Sequence, residues 1–534
     1  MANIPAEVDV LIVGAGPTGL ALALWLTRLG VRVRIVDREI TAVQQSRAIA
    51  VQARTLELYR QVDLTAAALE LGYRVPAMNL WVEGQRKAHV PFTQIGAALS
   101  PYGPLTLPQD QHERLLCQQL QSLGVIVERS VELLDFDEQG DVVLARLRLA
   151  QDRQQTCRAS YLAGCDGASS RARGGLGIGF SGGTYQQLFY VADIEGSGPA
   201  MDGELHVDLD EADFLAVFPI GGSGHARLVG TVRDERAERP EQLQFADVSE
   251  RAIRQLSITD IRVKWFSSYR VHHRVADHFR QGRVLLLGDA AHVHSPAGGQ
   301  GMNTGIGDAV NLAWKLAAVL GVRASRTLRA AEQLLATYES ERQAFARRLV
   351  ASTDRGFTLA TAEGPLAHLA RTRLVPLVVP ALFRLPGVRE YLFSTVSQLT
   401  LNYRDSPLSA GSAGEVHGGD RLPWVAGIAG QDPDNYESLR ALDWQVHVYG
   451  TAEPALLAFC ASQGLAVREF SWCEACASAG LTQQALYLVR PDGYLSLVHT
   501  RQDTARLLAH LQHLGIAAGA DAINPSSAGP AQSR

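Results

Sequence analysis

Hydrophobic spacing divides the chain before any motif is considered. Val8 to Val13 is an apolar run, broken at Asp9, that stops at a glycine, and Pro17 to Leu29 then carries apolar residues at helical spacing until Gly30. Val31 to Val36 alternates as a second strand. This βαβ opening predicts a doubly wound, Rossmann-like α/β sheet. Gly124 to Val127, Val142 to Leu149 and Tyr161 to Gly164 add apolar or alternating segments to the same region.

From about Tyr185 to Val271 the texture changes to short alternating runs: Gly203 to Val207, Phe214 to Pro219, Ala226 to Val232 and Ile261 to Val271. These predict an inserted, mostly antiparallel sheet. Val284 to Leu287 returns to buried-strand character, and Met302 to Leu320 and Leu328 to Val350 read as long helices. After the proline-punctuated stretch Pro365 to Pro386, the Gly, Ser and Ala of Gly411 to Gly419 predict a linker. Beyond it, strands at Gln445 to Tyr449 and Ala485 to Val489, the turn Pro491-Asp492-Gly493, a further strand and a closing helix predict a small α/β domain. The tail from Asn524 to Arg534 reads as disordered. The expected domains are 1–183 and 282–400 as two parts of one nucleotide-binding domain, 184–281 as the inserted sheet, and 401–534 at the C-terminus.

Composition narrows the function. A chain of 534 residues exceeds one ordinary domain. A net charge of −5 and a pI near 6.3 give no broad basic field, which argues against nucleic acid as a partner. No arginine-rich run precedes Val8, and Val8 to Val13 is too short for a signal core or a membrane span, so a cytoplasmic protein is expected. Six scattered cysteines suit a reducing compartment.

Three glycine-rich signals carry the chemistry. In Gly14-Ala-Gly-Pro-Thr-Gly19, the glycines Gly14, Gly16 and Gly19 follow a strand and open a helix, where absent side chains let a pyrophosphate approach the helix N-terminus. Asp37 ends the second strand where an acid can bind ribose hydroxyls, with Arg38 beside it. The other two signals are Cys165-Asp-Gly-Ala-Ser-Ser-Arg171 and Gly288-Asp-Ala-Ala-His292, continuing to Pro296.

In this order and at these separations, the three segments resemble the FAD fingerprints of flavoprotein monooxygenases related to para-hydroxybenzoate hydroxylase and phenol hydroxylase. The resemblance implies that Asp166, Gly167, Ser169 and Arg171 form a loop serving flavin and nicotinamide, that Asp289 holds the ribityl chain, and that Pro296 shapes the ring pocket. It further implies that the backbone of Gly301, Met302 and Asn303 faces the flavin, and that Arg47 and Gln109 touch FAD. Tyr269, in Lys264 to Arg274, resembles a substrate-contacting tyrosine of phenol hydroxylase. Arg270 and His272 alternate to the opposite face of that strand and are not expected to share its pocket. The acid that phenol hydroxylase places shortly before Arg54 is missing, because Ala48 to Val51 stands there.

The implied fold is a Rossmann-like FAD-binding domain, an inserted antiparallel substrate-binding sheet and a thioredoxin-like C-terminal domain. The implied activity is hydroxylation of a phenolic or polyketide-like aromatic substrate through a C4a-hydroperoxyflavin, with FAD as cofactor and NADPH or NADH and O2 as co-substrates. Baeyer–Villiger or epoxidising oxygen insertion is the alternative within the family. A non-catalytic flavin-binding regulator is the alternative outside it. A homodimer is common among relatives. His292 and His294 lack the nearby Cys or carboxylate ligands a metal would need, so no metal is expected. Cys473 and Cys476 read as inert thiols, since a thioredoxin-type pair would follow the first C-terminal strand near Gly450-Thr451, and Cys165 reads as a small core residue rather than a nucleophile.

Overall fold

The structure is a computed structural model that describes residues 7–41, 48–92, 99–208, 214–232, 243–248, 250–295, 299–321, 328–361, 385–427 and 433–516. Arg47, Pro296, the tail from Asn524 and most of the Pro365 to Pro386 stretch lie outside the described residues. The chain forms two compact units, one of residues 1–322 with 338–401, the other of residues 323–337 with 402–534.

In the first unit the strand Glu7–Val13 lies at the centre of a mixed sheet, parallel to Val33–Asp37 on one side and to Gln154–Gly164 on the other. Val10, Leu11 and Ile12 have no exposed surface, which explains why the strand from Val10 onward reads as an apolar run rather than an alternating one. Val284–Leu286 extends the parallel set beyond Gln154–Gly164. The helix Pro17–Arg28 begins with proline in its first turn, where the missing N–H costs no intrahelical bond, and buries every residue from Gly19 to Leu26. It packs against the helices Gln109–Ser122 and Gly301–Val319.

The second sheet has eight strands among the described residues, in the order His292–Val293, Thr259–Ala276, Phe180–Ser197, His225–Val232, Leu215–Pro219, Leu205–Asp208, Ala77–Val82 and Gln85–Pro91. All neighbours are antiparallel except Leu205–Asp208 with Ala77–Val82. The hairpin Ala77–Pro91, which sequence reading left unassigned, therefore completes a sheet otherwise built from residues 180–293. One face carries Leu188, Tyr190, Ile194, Leu215, Val217 and Leu228 into an apolar core with Ala252, Ile253 and Leu256. Strand alternation turns the intervening residues the other way.

In the second unit, four strands run in the order Ala466–Phe470, Gln445–Tyr449, Leu486–Val489 and Leu495–His499. The first pair is parallel and the others antiparallel, the arrangement of a thioredoxin-like sheet. Gly411 to Gly419 is not a linker. It forms a hairpin of Ser412–Ala413 and Val416–His417 whose Ala413 and Val416 enter the core beside Leu422 and Tyr487. Its glycines serve close packing, since a Cβ on Gly411 would lie 2.1 Å from the Val498 carbonyl oxygen. Among the described residues no helix is long and apolar enough to cross a membrane.

Candidate active site

The first strand–helix turn divides labour among its glycines. A Cβ on Gly14, whose φ is +102°, would sit 2.3 Å from the Cys165 carbonyl oxygen, and one on Gly19 would sit 2.0 Å from the Gly14 carbonyl oxygen. These two let backbones pack. Gly16 has no heavy atom within 4 Å of its would-be Cβ, so its open side faces a ligand space instead. Ala15 N–H donates to Asp37 Oδ2 at 2.6 Å and Glu39 N–H to Asp37 Oδ1 at 2.8 Å, which fixes the carboxylate at the end of its strand. Arg38 is exposed and lies 3.3 Å from Glu39.

Two cavities meet at this turn. One, of about 700 Å³, is lined by Gly14, Gly16, Asp37, Arg38, Asp166 and Gly167. The other, of about 690 Å³, is lined by Gly16, Gln109, Gly167, Tyr269, Asp289 and the stretch Gly299 to Met302. Gly16, Cys165 and Gly167 border both. A two-ended cofactor spanning them would carry its pyrophosphate past Gly16, at the free amides and positive dipole end of the Pro17–Arg28 helix. The shape and donor set thus fit FAD.

The second glycine-rich segment is built around Asp166, whose carboxylate accepts from Ser170 Oγ at 2.5 Å, Arg171 N–H at 2.6 Å and Ala172 N–H at 3.0 Å. Ser170 in turn caps the helix Arg171–Leu176 by accepting from Arg173 N–H. Arg173 donates to the Ala290 carbonyl at 2.9 Å and lies 3.8 Å over the Phe180 ring, tying this loop to the third segment. Ser170 and Arg173 therefore brace the loop, while Ser169 and Arg171 line the cavity beside it; the Arg171 side chain is largely exposed, 3.9 Å from Glu132. Burial, with Asp166 and Asp308 nearby, pushes the Cys165 thiol well above its ordinary range, which argues against a nucleophile. Cys165 is only partly buried, however, and borders both cavities rather than lying in the core as expected.

The third segment hangs on a buried ion network. Asp308 Oδ2 accepts Gly288 N–H at 3.0 Å and lies 2.7 Å from His292 Nε2, while Oδ1 accepts Arg342 Nε at 2.6 Å. Burial pushes the Asp308 carboxyl up, but the charges of Arg342 and His292 outweigh it and hold the group below its ordinary value. His292 is thus committed to Asp308, and His294 Nδ1 lies 2.7 Å from the Ser295 carbonyl. Asp289 is exposed at the cavity while Val284 to Leu287, Gly288 and Ala290 are all buried.

Gly301 and Met302 line the same cavity, at the start of the Gly301–Val319 helix. Asn303 is buried, with its side chain fully engaged. Oδ1 accepts from Gln52 N–H at 2.9 Å and Thr55 Oγ at 2.7 Å, and Nδ2 donates to the Ala50 and Gly299 carbonyls at 2.9 Å. It can offer a ligand only its backbone. Gln109 donates to Glu113 at 2.7 Å on the cavity wall. Behind Met302, His112 Nδ1 lies 3.3 Å from the sulfur and Nε2 lies 2.5 Å from the Tyr59 hydroxyl. Burial lowers His112 to a pKa of about 4, so the ring is neutral near pH 7.

The opposite wall is the second sheet. Trp265, Ser267, Tyr269 and Val271, alternate residues of one strand, line the cavity with Phe218 and Val229. Tyr269 is half-buried and packs 6.1 Å from Phe189. Arg270 and His272 also line this cavity, contrary to the expectation from alternation. The strand pairs with His292–Val293 at Arg274 and Val275, and ahead of those rungs both alternating sets, Ser267, Tyr269 and Val271 with Arg270 and His272, border the cavity. A register shift opposite, between Thr184 and Leu188, opens the ladder at the same place. His272 Nδ1 lies 2.7 Å from Thr184 Oγ, and burial together with the charges of Arg274 and His273 lowers its pKa.

Sequence reading missed Arg227. It is buried, pairs with Asp193 at 2.7 and 2.8 Å, and reaches the Ala48 carbonyl at 3.2 Å, joining the sheet to the apolar wall of Ala48, Ile49 and Ala50. The signal was present as one charged residue in each of two facing apolar runs, Arg227 within Ala226 to Val232 and Asp193 within Val191 to Ile194.

Residues 7–353 match the family described as an FAD binding domain. The chain is 34% identical to a 6-methylpretetramide 4-monooxygenase from Streptomyces rimosus over 96% of its own length and 94% of the relative's. The solved anhydrotetracycline hydroxylase of Streptomyces rimosus superposes with a TM-score of 0.75 at 27% identity, covering 96% of this chain and 100% of that one. A ternary complex of aklavinone-11 hydroxylase with FAD and aklavinone superposes with a TM-score of 0.75 at 25% identity, over 95% and 99% of the two chains.

Proposed function

The chain belongs to the FAD-binding domain family and is an FAD-dependent aromatic monooxygenase, and from that premise we propose that its substrate is a polyketide-like phenol of several fused rings. The observation that carries this reading is the apolar sheet face of Phe218, Val229, Trp265, Tyr269 and Val271 across a cavity of about 690 Å³. Aromatic and aliphatic side chains on one wall, faced by polar groups on the others, favour a flat, multi-ring ligand that carries hydroxyls. The named relatives acting on pretetramide, anhydrotetracycline and aklavinone support it.

In this reading Gly16 seats the pyrophosphate on a turn that Gly14 and Gly19 hold closed, Asp37 and Arg38 take the adenosine end, Asp166 shapes the loop between, and Asp289 holds the ribityl chain. Arg47 and Gln109 assist, and Pro296 with the backbone of Gly301, Met302 and Asn303 borders the ring. Bound FAD, reduced by NADPH or NADH, supplies one oxygen atom of O2 to an electron-rich ring carbon. Tyr269 orients the phenol through its hydroxyl. His272 takes the place of the acid absent from Ala48 to Val51: it lines the cavity, where burial and the charges of Arg274 and His273 favour its neutral form, which can accept a hydrogen bond from a phenolic hydroxyl. A pH–rate profile of His272→Asn lacking the parent's acid limb supports that role, and an unchanged profile removes it.

The finer expectations belong to the same proposal. A homodimer is tested by light scattering. A cytoplasmic location is supported by six free thiols.

The decisive experiment follows NAD(P)H consumption by the yellow protein with a panel running from single-ring phenols to fused-ring ones, with product mass and regiochemistry read alongside. Stimulation by fused-ring phenols with gain of one oxygen on a ring carbon is expected. Stimulation confined to single-ring phenols refutes the substrate class, and oxygen insertion into a carbon–carbon bond refutes hydroxylation.

A further inference from the structure

The second unit contains a pair of thiols that the oxygenase reading does not use. After the strand Ala466–Phe470 the chain turns through Ser471 and Trp472, and Cys473 precedes a single helical turn, Glu474–Ser478. The three-residue spacing brings Cys473 Sγ to 3.5 Å from Cys476 Sγ. The two sulfurs differ in access. Cys476 is fully buried in the core with Tyr449, Leu481 and Tyr487, whereas Cys473 is partly exposed at a small recess bordered by Asn435, Tyr449 and Phe470. Cys460, the other thiol of this unit, is buried in the core on the opposite face of the sheet. The motif does not occupy the position of a thioredoxin pair, yet its geometry meets the requirement for a dithiol: one thiol within reach of a small oxidant, and a second in contact with it.

We propose that Cys473 and Cys476 form an oxidisable dithiol, a modification site at which a hydroperoxide converts the two thiols into an intramolecular disulfide. Cys473 Sγ, as thiolate, attacks one peroxide oxygen, the O–O bond breaks, and with hydrogen peroxide one water leaves as Cys473 becomes a sulfenic acid. Cys476 Sγ then attacks that sulfur and expels a second water, so two thiols and one peroxide give one disulfide and two waters. Closing the bond requires the sulfurs to move from 3.5 Å to about 2.05 Å, which rotation of the less constrained Cys473 side chain supplies. Burial pushes the Cys476 thiol up to about 11, which reserves the first attack for Cys473 and leaves Cys476 as the resolving group. The oxidant is at hand, since a flavoprotein monooxygenase that reduces O2 without transferring oxygen to substrate releases hydrogen peroxide.

The test uses the full-length holoprotein, reduced, freed of reductant and exposed to excess hydrogen peroxide. It is then denatured and alkylated with N-ethylmaleimide. The untreated chain takes up six labels, one for each cysteine. The treated chain should take up two fewer, regain them after dithiothreitol, and yield a peptide linking Cys473 to Cys476. In Cys476→Ser, Cys473 should stop at a sulfenic acid that dimedone traps; the linked peptide from the parent chain stands even if that variant folds poorly. Retention of all six labels, loss mapped to other cysteines, or Cys473 oxidised to sulfinic acid while Cys476 still accepts label would each overturn the proposal. Because peroxide is added from outside, the outcome does not depend on which substrate the first unit hydroxylates.

Discussion

Gly14 and Gly16 are two residues apart and should fail in opposite ways when a side chain is added. At Gly14 an alanine inherits a φ of +102° and a Cβ only 2.3 Å from the Cys165 carbonyl oxygen. The left-handed conformation costs about 1–2 kcal/mol and the overlap with rigid backbone about 1–3 kcal/mol more, a large share of a domain stability of about 5–15 kcal/mol. Gly16 has φ −76° and ψ −178°, which any residue adopts, and its Cβ position is open. A valine there gives up an N-cap glycine, worth up to about 1 kcal/mol, but stands where the two cavities meet. If it denies a pyrophosphate two charge-assisted bonds to helix amides, the loss is about 3–6 kcal/mol, or roughly a hundredfold to ten-thousandfold in Kd. The assay strips FAD, records the melting temperature of each apoprotein, and titrates flavin back by fluorescence quenching. Gly14→Ala should melt at least about 5 °C below the parent without flavin present. Gly16→Val should melt close to the parent and bind FAD poorly. Parent-like FAD affinity in Gly16→Val, or a parent-like apo melt in Gly14→Ala, refutes the division of labour.

Asp289→Ala should lose most bound FAD with its circular dichroism unchanged; flavin retained at the parent ratio rules out the ribityl assignment. Tyr269→Phe should hydroxylate more slowly at unchanged flavin content, and the parent rate would leave Tyr269 a packing residue only. Acid stability should report His112. Its folded pKa of about 4 lies below the ordinary 6.5, so its contribution is complete above pH 6.5 and is lost as pH falls towards 4, by about 3 kcal/mol. Urea titrations across that window should show His112→Gln with a flatter acid limb than the parent, and parallel limbs would count against the burial argument.

Much of the fold was legible because the buried stretches Val10 to Val13 and Val284–Leu286 are apolar without interruption, and each leads into a glycine turn with a chemical reason. The hairpin Ala77–Pro91 was not legible. Its second strand is mostly polar, and its first pairs with Leu205–Asp208, more than a hundred residues away, so no local period announces it. Gly411 to Gly419 misled because glycine serves close packing as well as freedom, and composition does not distinguish them. At the site, Asp289 and Tyr269 could be chosen by motif, but Arg227, His272 and the Asn303 clamp depend on contacts between distant segments. Ser170 and Arg173 are of another kind: the residue types were present in the motif, and only helix capping shows that these two brace the loop whose Ser169 and Arg171 line the cavity.

The strand Thr259–Ala276 presents Trp265, Ser267, Tyr269 and Val271 to the cavity, and near its end Arg274 and Val275 are hydrogen-bonded to His292 and Val293, beside Asp289. Wall and cofactor-facing turn are thus rungs of one ladder, and the spacing between them is set by backbone pairing rather than by a hinge. Exchanging a wall residue changes which ring is presented but leaves the frame in place, whereas slipping the register by one residue would turn the wall inside out. Substrate choice can therefore drift by single substitutions along this strand while the oxygen-delivering geometry is inherited intact.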